Sequence, residues 1–316
     1  MALELRHLRY FVAVAEEGHI TRAAERLGMQ QPPLSQQIKA IELELGVQLL
    51  RRKARGVEVT NAGRALLEDA RAILANVDRA VETSRRASRG EEGRLCLGVT
   101  STTPFHPLVA RAIGTFREAC PMVALTLEEC FSNELVDRLR SERMDAAFIR
   151  TSPAAPDGLQ VHHLLQEPMV VALPARHELA TKETRAKPIS FRRLAGETFI
   201  LAGPPGTGLH DGIIAACQAA GFNPRVGNLG ASTGQGPRIA STLSLVGAGL
   251  GITCVPLSVE RMNIDGVTYR RLDGPVQPKA VLNLVARRGD PSPVVRQFLT
   301  IVRKASDAFD GADAVQ

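Results

Sequence analysis

An α plus α/β chain is predicted: a helical head with a basic hairpin, one long helix, and a two-lobed α/β body. Three observations predict it. Apolar residues recur at helical spacing through the first 87 positions. Beyond about residue 95, strand-like and helix-like segments alternate. The net charge of +6 over 316 residues is uneven: residues 1–90 hold 15 Lys/Arg against 11 Asp/Glu, the remainder 24 against 22. With 44% hydrophobic and 23% charged residues, disordered and fibrous classes are excluded. Apolar runs fall short of the roughly 18–20 residues that span a bilayer. Glu4, Glu16, Glu17 and Glu25 interrupt the first thirty residues, which is no signal peptide. No membrane partner is therefore expected.

In the head, Leu5, Leu8, Phe11, Val12 and Ala15 form one apolar stripe that Gly18 ends. A short helix from Ile20 to Leu27 follows, with Ala23, Ala24 and Leu27 as its small face. After the Gly28-Met29-Gln30 turn, Gln31-Pro32-Pro33 opens a third helix, where proline costs no hydrogen bond. Leu34, Ile38, Ile41 and Leu45 carry its stripe and Gly46 closes it. Two helices joined by a tight glycine turn, the second polar at its start, make a helix-turn-helix over about residues 20–39. The second helix of such a unit reads base edges in the major groove. The acid-free run Arg51, Arg52, Lys53 and Arg55, followed by alternating Val57-Glu58-Val59-Thr60, predicts a wing with a basic hairpin tip that meets phosphates or a minor groove.

From Asn61 to Ala87, Leu66, Ala70, Ile73, Val77 and Val81 repeat at 4, 3, 4 and 4. So long a helix needs a partner for its stripe, either its own domain or a second copy. Ser88–Gly93 reads as the linker to the body. There, Leu95–Thr100, Val123–Glu128 and Ala146–Ile149 are strand-like around helices Pro107–Ala119 and Asn133–Arg143, which argues for a parallel sheet covered on both faces. A second set follows with strands Met169–Leu173, Thr198–Leu201, Arg225–Gly230 and Gly251–Val255, and helices near Leu209–Ala220 and Pro237–Val246. Strand Ala280–Ala286 and helix Ser292–Phe309 return the chain to the first lobe. The expected divisions are a winged helix-turn-helix at 1–60, the long helix at 61–90, and an effector-binding body at 91–316. Lobe 1 takes about 91–163 and 268–316, and lobe 2 about 164–267.

These residues resemble the LysR-type transcriptional regulators. The resemblance is dense over the first sixty residues: Leu5-Arg6-His7-Leu8-Arg9-Tyr10-Phe11, Thr21-Arg22-Ala23-Ala24, Gln31-Pro32-Pro33-Leu34-Ser35, Leu43-Glu44-Leu45-Gly46, Leu49-Leu50-Arg51-Arg52 and Thr60-Asn61-Ala62-Gly63. Gly249-Leu250-Gly251-Ile252 and Val255-Pro256 look like the family's effector-domain signature. The resemblance implies a winged helix-turn-helix and a body like type 2 periplasmic binding proteins. It also implies homodimers formed through the linker helix and assembled into homotetramers. Its partners would be double-stranded promoter DNA, RNA polymerase and a small-molecule effector in the cytoplasm, with no cofactor and no catalysis. Tyr10-Phe11 and the Gln-Pro-Pro-Leu-Ser helix start look most like the branch controlling aromatic-compound catabolism of the benzoate, muconate or chlorocatechol type, so an aromatic or dicarboxylic acid effector is expected. The alternative on composition alone is a small-molecule-binding α/β protein, solute binder or enzyme, with no regulatory role.

By resemblance, Gln31, Pro32, Ser35 and Gln36 touch bases, Lys39 and Arg55 touch backbone or minor groove, and Thr21, Arg22 and Arg52 complete the set. Glutamine pairs bidentately with adenine, which suits the reading. Where relatives often carry arginine this chain has Gln36, and His19 replaces a common serine, so capping of the second helix is expected to fall to Thr21. For the effector, the loop Ser101, Thr102 and Thr103 precedes a helix, where hydroxyls and backbone N–H groups suit a carboxylate. Ser132 opens the next helix, and Arg150 is a candidate bidentate carboxylate partner. Pro204, Thr207 and Leu209 face the cleft from lobe 2 by resemblance.

Other motifs carry less. Gly203-Pro204-Pro205-Gly206-Thr207-Gly208 opens like a phosphate loop, but Leu209 and His210 stand where lysine and Ser/Thr are needed. The five cysteines, Cys96, Cys120, Cys130, Cys217 and Cys254, show no C-x-x-C pair, which fits a reducing compartment and buried thiols. No His or Cys set has metal-ligand spacing.

Overall fold

The computed structural model of the chain describes residues 3–54, 56–150, 157–181, 187–227 and 236–313. They divide into two units, Met1–Arg86 and Ala87–Gln316. The first contains α1 (Leu5–Glu17), α2 (Ile20–Arg26), α3 (Gln31–Leu45), β1 (Leu50–Lys53) and β2 (Gly56–Val59), and α4 (Asn61–Arg89) follows. Phe11, Val14, Ala23, Ala24, Leu34, Ile38 and Ile41 close one small core, the stripes that the helical spacing predicts. Gly18 and Gly46 end α1 and α3 with φ of 59° and 67°, the left-handed region that a side chain disfavours.

Two local expectations are corrected. Thr21 does not cap α2; the extended backbone at His19 lets its own Nδ1 accept the Thr21 N–H at 3.3 Å. Arg51, Arg52 and Lys53 of the basic run lie not at the tip of the wing but on its first strand. β1 pairs antiparallel with β2 from Leu50 opposite Val59 to Lys53 opposite Gly56, so the ladder absorbs Arg51, Arg52 and Lys53. Arg55 lies outside the described residues.

Helix α4 has 29 residues, about 44 Å at 1.5 Å per residue. Leu66 and Leu67 pack on the head's core and Ala70 is buried, whereas Ile73 and Val81 are exposed. The helix runs through most of the expected linker, and only Gly90-Glu91 separates it from the first strand of the body.

The body runs β3 (Glu92–Val99), α5 (Pro107–Ala119), β4 (Met122–Glu129), α6 (Ser132–Arg140), β5 (Ala146–Ile149), β6 (Leu159–Pro174), β7 (Ile189–Ser190) and β8 (Thr198–Phe199). It continues α7 (Gly208–Ala219), β9 (Arg225–Val226), α8 (Ile239–Gly247), β10 (Thr253–Pro256), β11 (Val267–Asp273), β12 (Lys279–Arg287) and α9 (Pro293–Asp313). Strands β4, β3 and β5 are parallel, as the alternating pattern predicts. Helices α5 and α9 cover one face of that sheet over Leu97, Phe148 and Leu284, with Phe116 and Phe298 edge to face at 5.3 Å. Helix α6 covers the other with Leu135 and Leu139. Gly98 permits this close seating: a Cβ there would stand 2.4 Å from the Met144 sulfur and 2.6 Å from Leu135.

Strand β6 is the element that pattern underestimates. Sixteen residues long, it pairs with β12 through Pro168 and with β10 and β11 from Met169 onward, so one strand serves both lobes. His162, His163, Gln166 and Glu167 hide its first half from an apolar-run search. The polar strand β11 was likewise not expected, and because it pairs with β6 and β7 it belongs to lobe 2. The return to lobe 1, expected at 268, therefore falls between Asp273 and Lys279. Helix α6 ends at Arg140, before the expected Arg143, and Glu142 follows with φ of 57°. The strand expected at Arg225–Gly230 is Arg225–Val226, with 228–230 outside the described residues.

Candidate DNA interface and effector cleft

In the head, Pro32, Gln36 and Lys39 are exposed on one face of α3, with Gln31 and Ser35 half-buried beside them. The spacing of 4 and 3 makes this face, and apolar Leu34, Ile38 and Ile41 fix it by occupying the opposite one. Thr21 and Arg22 are exposed on α2; Arg22 also donates to the carbonyl of Glu17 at 2.7 Å, bracing the turn between α1 and α2. On the wing, Arg51 and Arg52 are exposed and neither they nor Lys39 has an ion-pair partner among the described residues. Lys53 differs: Glu58 holds it at 2.8 Å. That contact keeps the Glu58 carboxyl below its ordinary value and removes one charge from the segment that looked uniformly free.

In the body, strand register gathers the effector candidates at one sheet edge. Val99 is paired with Glu129 on one side and Phe148 on the other, so Thr100–Thr103, Ser132 and Arg150 all follow the carboxyl ends of adjacent parallel strands. Ligands bind there in open α/β sheets. Their roles separate in the structure. Thr103 is fully enclosed, and its hydroxyl accepts from Thr100 N at 3.1 Å and donates to Thr100 O at 3.2 Å. It locks the turn and has no group left for an effector. The hydroxyls of Thr100 and Thr102 are buried without partners among the described residues, and Ser101 is half-buried. Ser132 is buried at the start of α6.

Arg150 has a side chain 2% exposed, and its Nη2 donates to Glu167 Oε1 at 2.6 Å while Nε and Nη1 have no partner among the described residues. Burial pulls its pKa below the usual value and Glu167 opposes that shift. Glu167 also accepts from Ser258 N at 2.8 Å and from the Ser258 hydroxyl at 3.0 Å. One carboxylate on the shared strand thus ties the lobe 1 arginine to the segment after β10. Sequence reasoning missed Glu167 and Ser258, since residues 17 and 91 positions apart share no local pattern.

From lobe 2, Thr207 is buried and its hydroxyl donates to Pro204 O at 2.8 Å. Leu209 is half-buried and packs against the lobe 2 core. In the preceding loop, Asp211 Oδ1 accepts the Gly206 N–H at 3.0 Å, so an internal carboxylate occupies the donor that a phosphate would use. The lobes also meet at Arg238, which bonds Glu129 Oε1 at 2.5 Å and lies 5.3 Å over the Phe131 ring. Neither residue was foreseen.

All five cysteines are free, and Cys120, Cys130, Cys217 and Cys254 are buried. Burial raises every thiol, Cys217 to about 11, which makes these poor nucleophiles. Among the described residues, no three metal-binding side chains cluster and no helix is long and apolar enough to cross a membrane.

An exposed polar recognition helix with a basic wing, joined to an α/β body with a polar inter-lobe cleft, defines a DNA-binding regulator that senses a small molecule. The profile for "Bacterial regulatory helix-turn-helix protein, lysR family" matches residues 5–64, and that for "LysR substrate binding domain" matches 88–307. The chain belongs to the LysR family of transcriptional regulators, and it is not an enzyme. It is 36% identical to the HTH-type transcriptional regulator BudR of Raoultella terrigena over 298 residues, 94% of this chain and 99% of that protein. It is 36% identical to TfdS of Cupriavidus pinatubonensis over 303 residues, 96% and 98% of the two chains. Among solved structures, CbnR superposes with a TM-score of 0.82 at 29% identity, covering 95% of this chain and all of CbnR. Full-length CbnR complexed with its target DNA gives 0.79 at 30% identity, covering 96% and 100%.

Proposed function

We propose that this regulator controls a catabolic promoter in response to a small aromatic or dicarboxylic acid held, without any cofactor, between the lobes. The single observation that carries this reading is Arg150, an enclosed cation with two nitrogens unpartnered among the described residues, beside the loop of Thr100–Thr102. Buried donors need acceptors, and a carboxylate supplies several at once. The exposed Ile73 and Val81 on α4 support assembly through a second copy of the helix, and a dimer of dimers fits a partly palindromic operator. Effector binding would shift the population between two assemblies and so alter contact with RNA polymerase in the cytoplasm.

The test is thermal melting of the full chain with benzoate and with cis,cis-muconate, beside promoter retardation. At 100 times its dissociation constant an effector stabilises by about 2.7 kcal/mol. Ser101→Ala with Thr102→Ala should abolish that gain and leave DNA retardation unchanged. An undiminished gain in the double variant overturns the site.

A further inference from the structure

A cavity of about 330 Å³ lies between the start of β6, the turn after β12, and α9. It is remote from the effector candidates. Gln160 pairs with Ala286 and Ala286 with Ala146, so the cavity sits at the amino end of β5, the opposite edge of the sheet from Arg150. Val295 and Leu299 supply apolar lining, and Arg296, Thr300 and Arg303 stand at spacings of 4 and 3 on one face of α9.

The charges here do not cancel. Asp290, the lining carboxylate, is already taken: Arg287 lies 2.5 Å from its Oδ2, and its Oδ1 accepts the Ser292 N–H at 2.9 Å. Arg296 bonds the Pro291 carbonyl at 2.6 Å, and Arg303 Nη2 lies 3.0 Å from His162 Nδ1. Neither arginine has a carboxylate partner among the described residues. A guanidinium only donates, so His162 Nδ1 is the acceptor and its hydrogen resides on Nε2. That Nε2 is buried and has no acceptor among the described residues. Burial first, and then Arg303, hold the His162 pKa below its ordinary value, so the neutral ring is the relevant form near pH 7.

Two unpaired guanidiniums and an orphan buried donor call for a compact group with several acceptor oxygens and about two negative charges. We propose that this cavity binds a phosphate group, free or carried by a small metabolite, held by Arg296, Arg303 and His162. Phosphate presents three acceptor oxygens and matches the planar arginine fork.

The experiment is calorimetric titration of the full chain in chloride buffer at fixed ionic strength, with inorganic phosphate in one arm and glycerol 3-phosphate in the other. Arg296→Gln with Arg303→Gln should weaken binding at least tenfold, whereas Arg52→Ala in the head should not. Both cavity arginines are exposed, and thermal melting verifies that the variant is folded; Arg303→Gln alone repeats the comparison should the pair unfold. Tighter binding of the ester assigns a phosphorylated metabolite, and tighter binding of the inorganic ion assigns free phosphate. Absence of saturable heat in the wild type, or equal titrations of wild type and double variant, overturns the proposal.

Discussion

The two binding regions of this molecule are built on opposite plans. The head draws Gln31, Pro32, Ser35, Gln36 and Lys39 from nine consecutive residues of one helix and leaves most of them open to solvent. The body draws its polar groups from loops after three strands, buries Arg150, Thr102 and Ser132, and ties Arg150 to Ser258 through Glu167 on a fourth. Duplex DNA is a large polyanion that needs a convex surface and tolerates hydrated contacts. A small acid must be surrounded and dehydrated before two or three hydrogen bonds can identify it. Removing a residue from the head should therefore change binding alone, and removing one from the body should change stability as well.

The largest expected effect tests the buried side. Glu167→Ala leaves Arg150 enclosed and unpaired, which costs about 3–5 kcal/mol for a broken buried pair. Thermal melting should show the body unfolding many degrees earlier, and an unchanged melting temperature would remove the contrast between the regions. The exposed side comes next. Arg52→Ala should leave melting unaltered while lowering the log–log salt slope of promoter binding by about 0.9, one phosphate contact. The same measurement on Lys53→Ala should give a smaller change, because Glu58 already holds that charge.

A weaker effect is expected at the mouth of the cleft. Arg238 and Glu129 are about half exposed, and such pairs contribute roughly 0–1 kcal/mol. Arg238→Ala should speed effector release by up to about fivefold in stopped-flow measurement, without preventing binding. The smallest concerns pH in the head. Glu16 accepts from Arg71 Nη2 at 2.8 Å and from Arg26 at 2.9 Å, and these bonds lower its pKa below 4.5, Arg71 contributing most. A depressed carboxyl stabilises above its unfolded pKa and loses that contribution as pH falls through the folded value. Glu16→Gln should flatten the acid limb of the head's stability curve below about pH 4.5 by removing the small neutral-pH contribution of the ionised carboxylate, and leave stability in strong acid unchanged.

Much of the head was legible because its information is local. Periods of 3 and 4 placed α1, α3 and α4, and Gly18 and Gly46 marked their ends. The wing was legible as a charge run but its geometry was not: pairing register decides whether an arginine sits on a strand or at a tip. In the body, the strands before α5 and α9 were readable from apolar runs largely buried in the sheet, and β4, before α6, read as a strand although it is the exposed edge. The first half of β6 and all of β11 were not readable, since their polar residues meet partners far away in sequence. Arg270, for example, is 2% exposed on β11 and donates to backbone carbonyls of Leu179 and Lys187.

Sequence by itself determined the class of this protein: a helix-turn-helix with a polar recognition face, a basic wing, and an α/β body. Each rests on spacing within one element, which the backbone's fixed periods convert directly into a surface. Tertiary structure alone decided which candidate groups are already spent. Thr103 is consumed by its turn and Lys53 by Glu58, while Arg150 keeps two nitrogens without a partner among the described residues. The reason is physical. A side chain's capacity to bind depends on the hydrogen bonds left after folding, and those partners come from residues tens of positions apart.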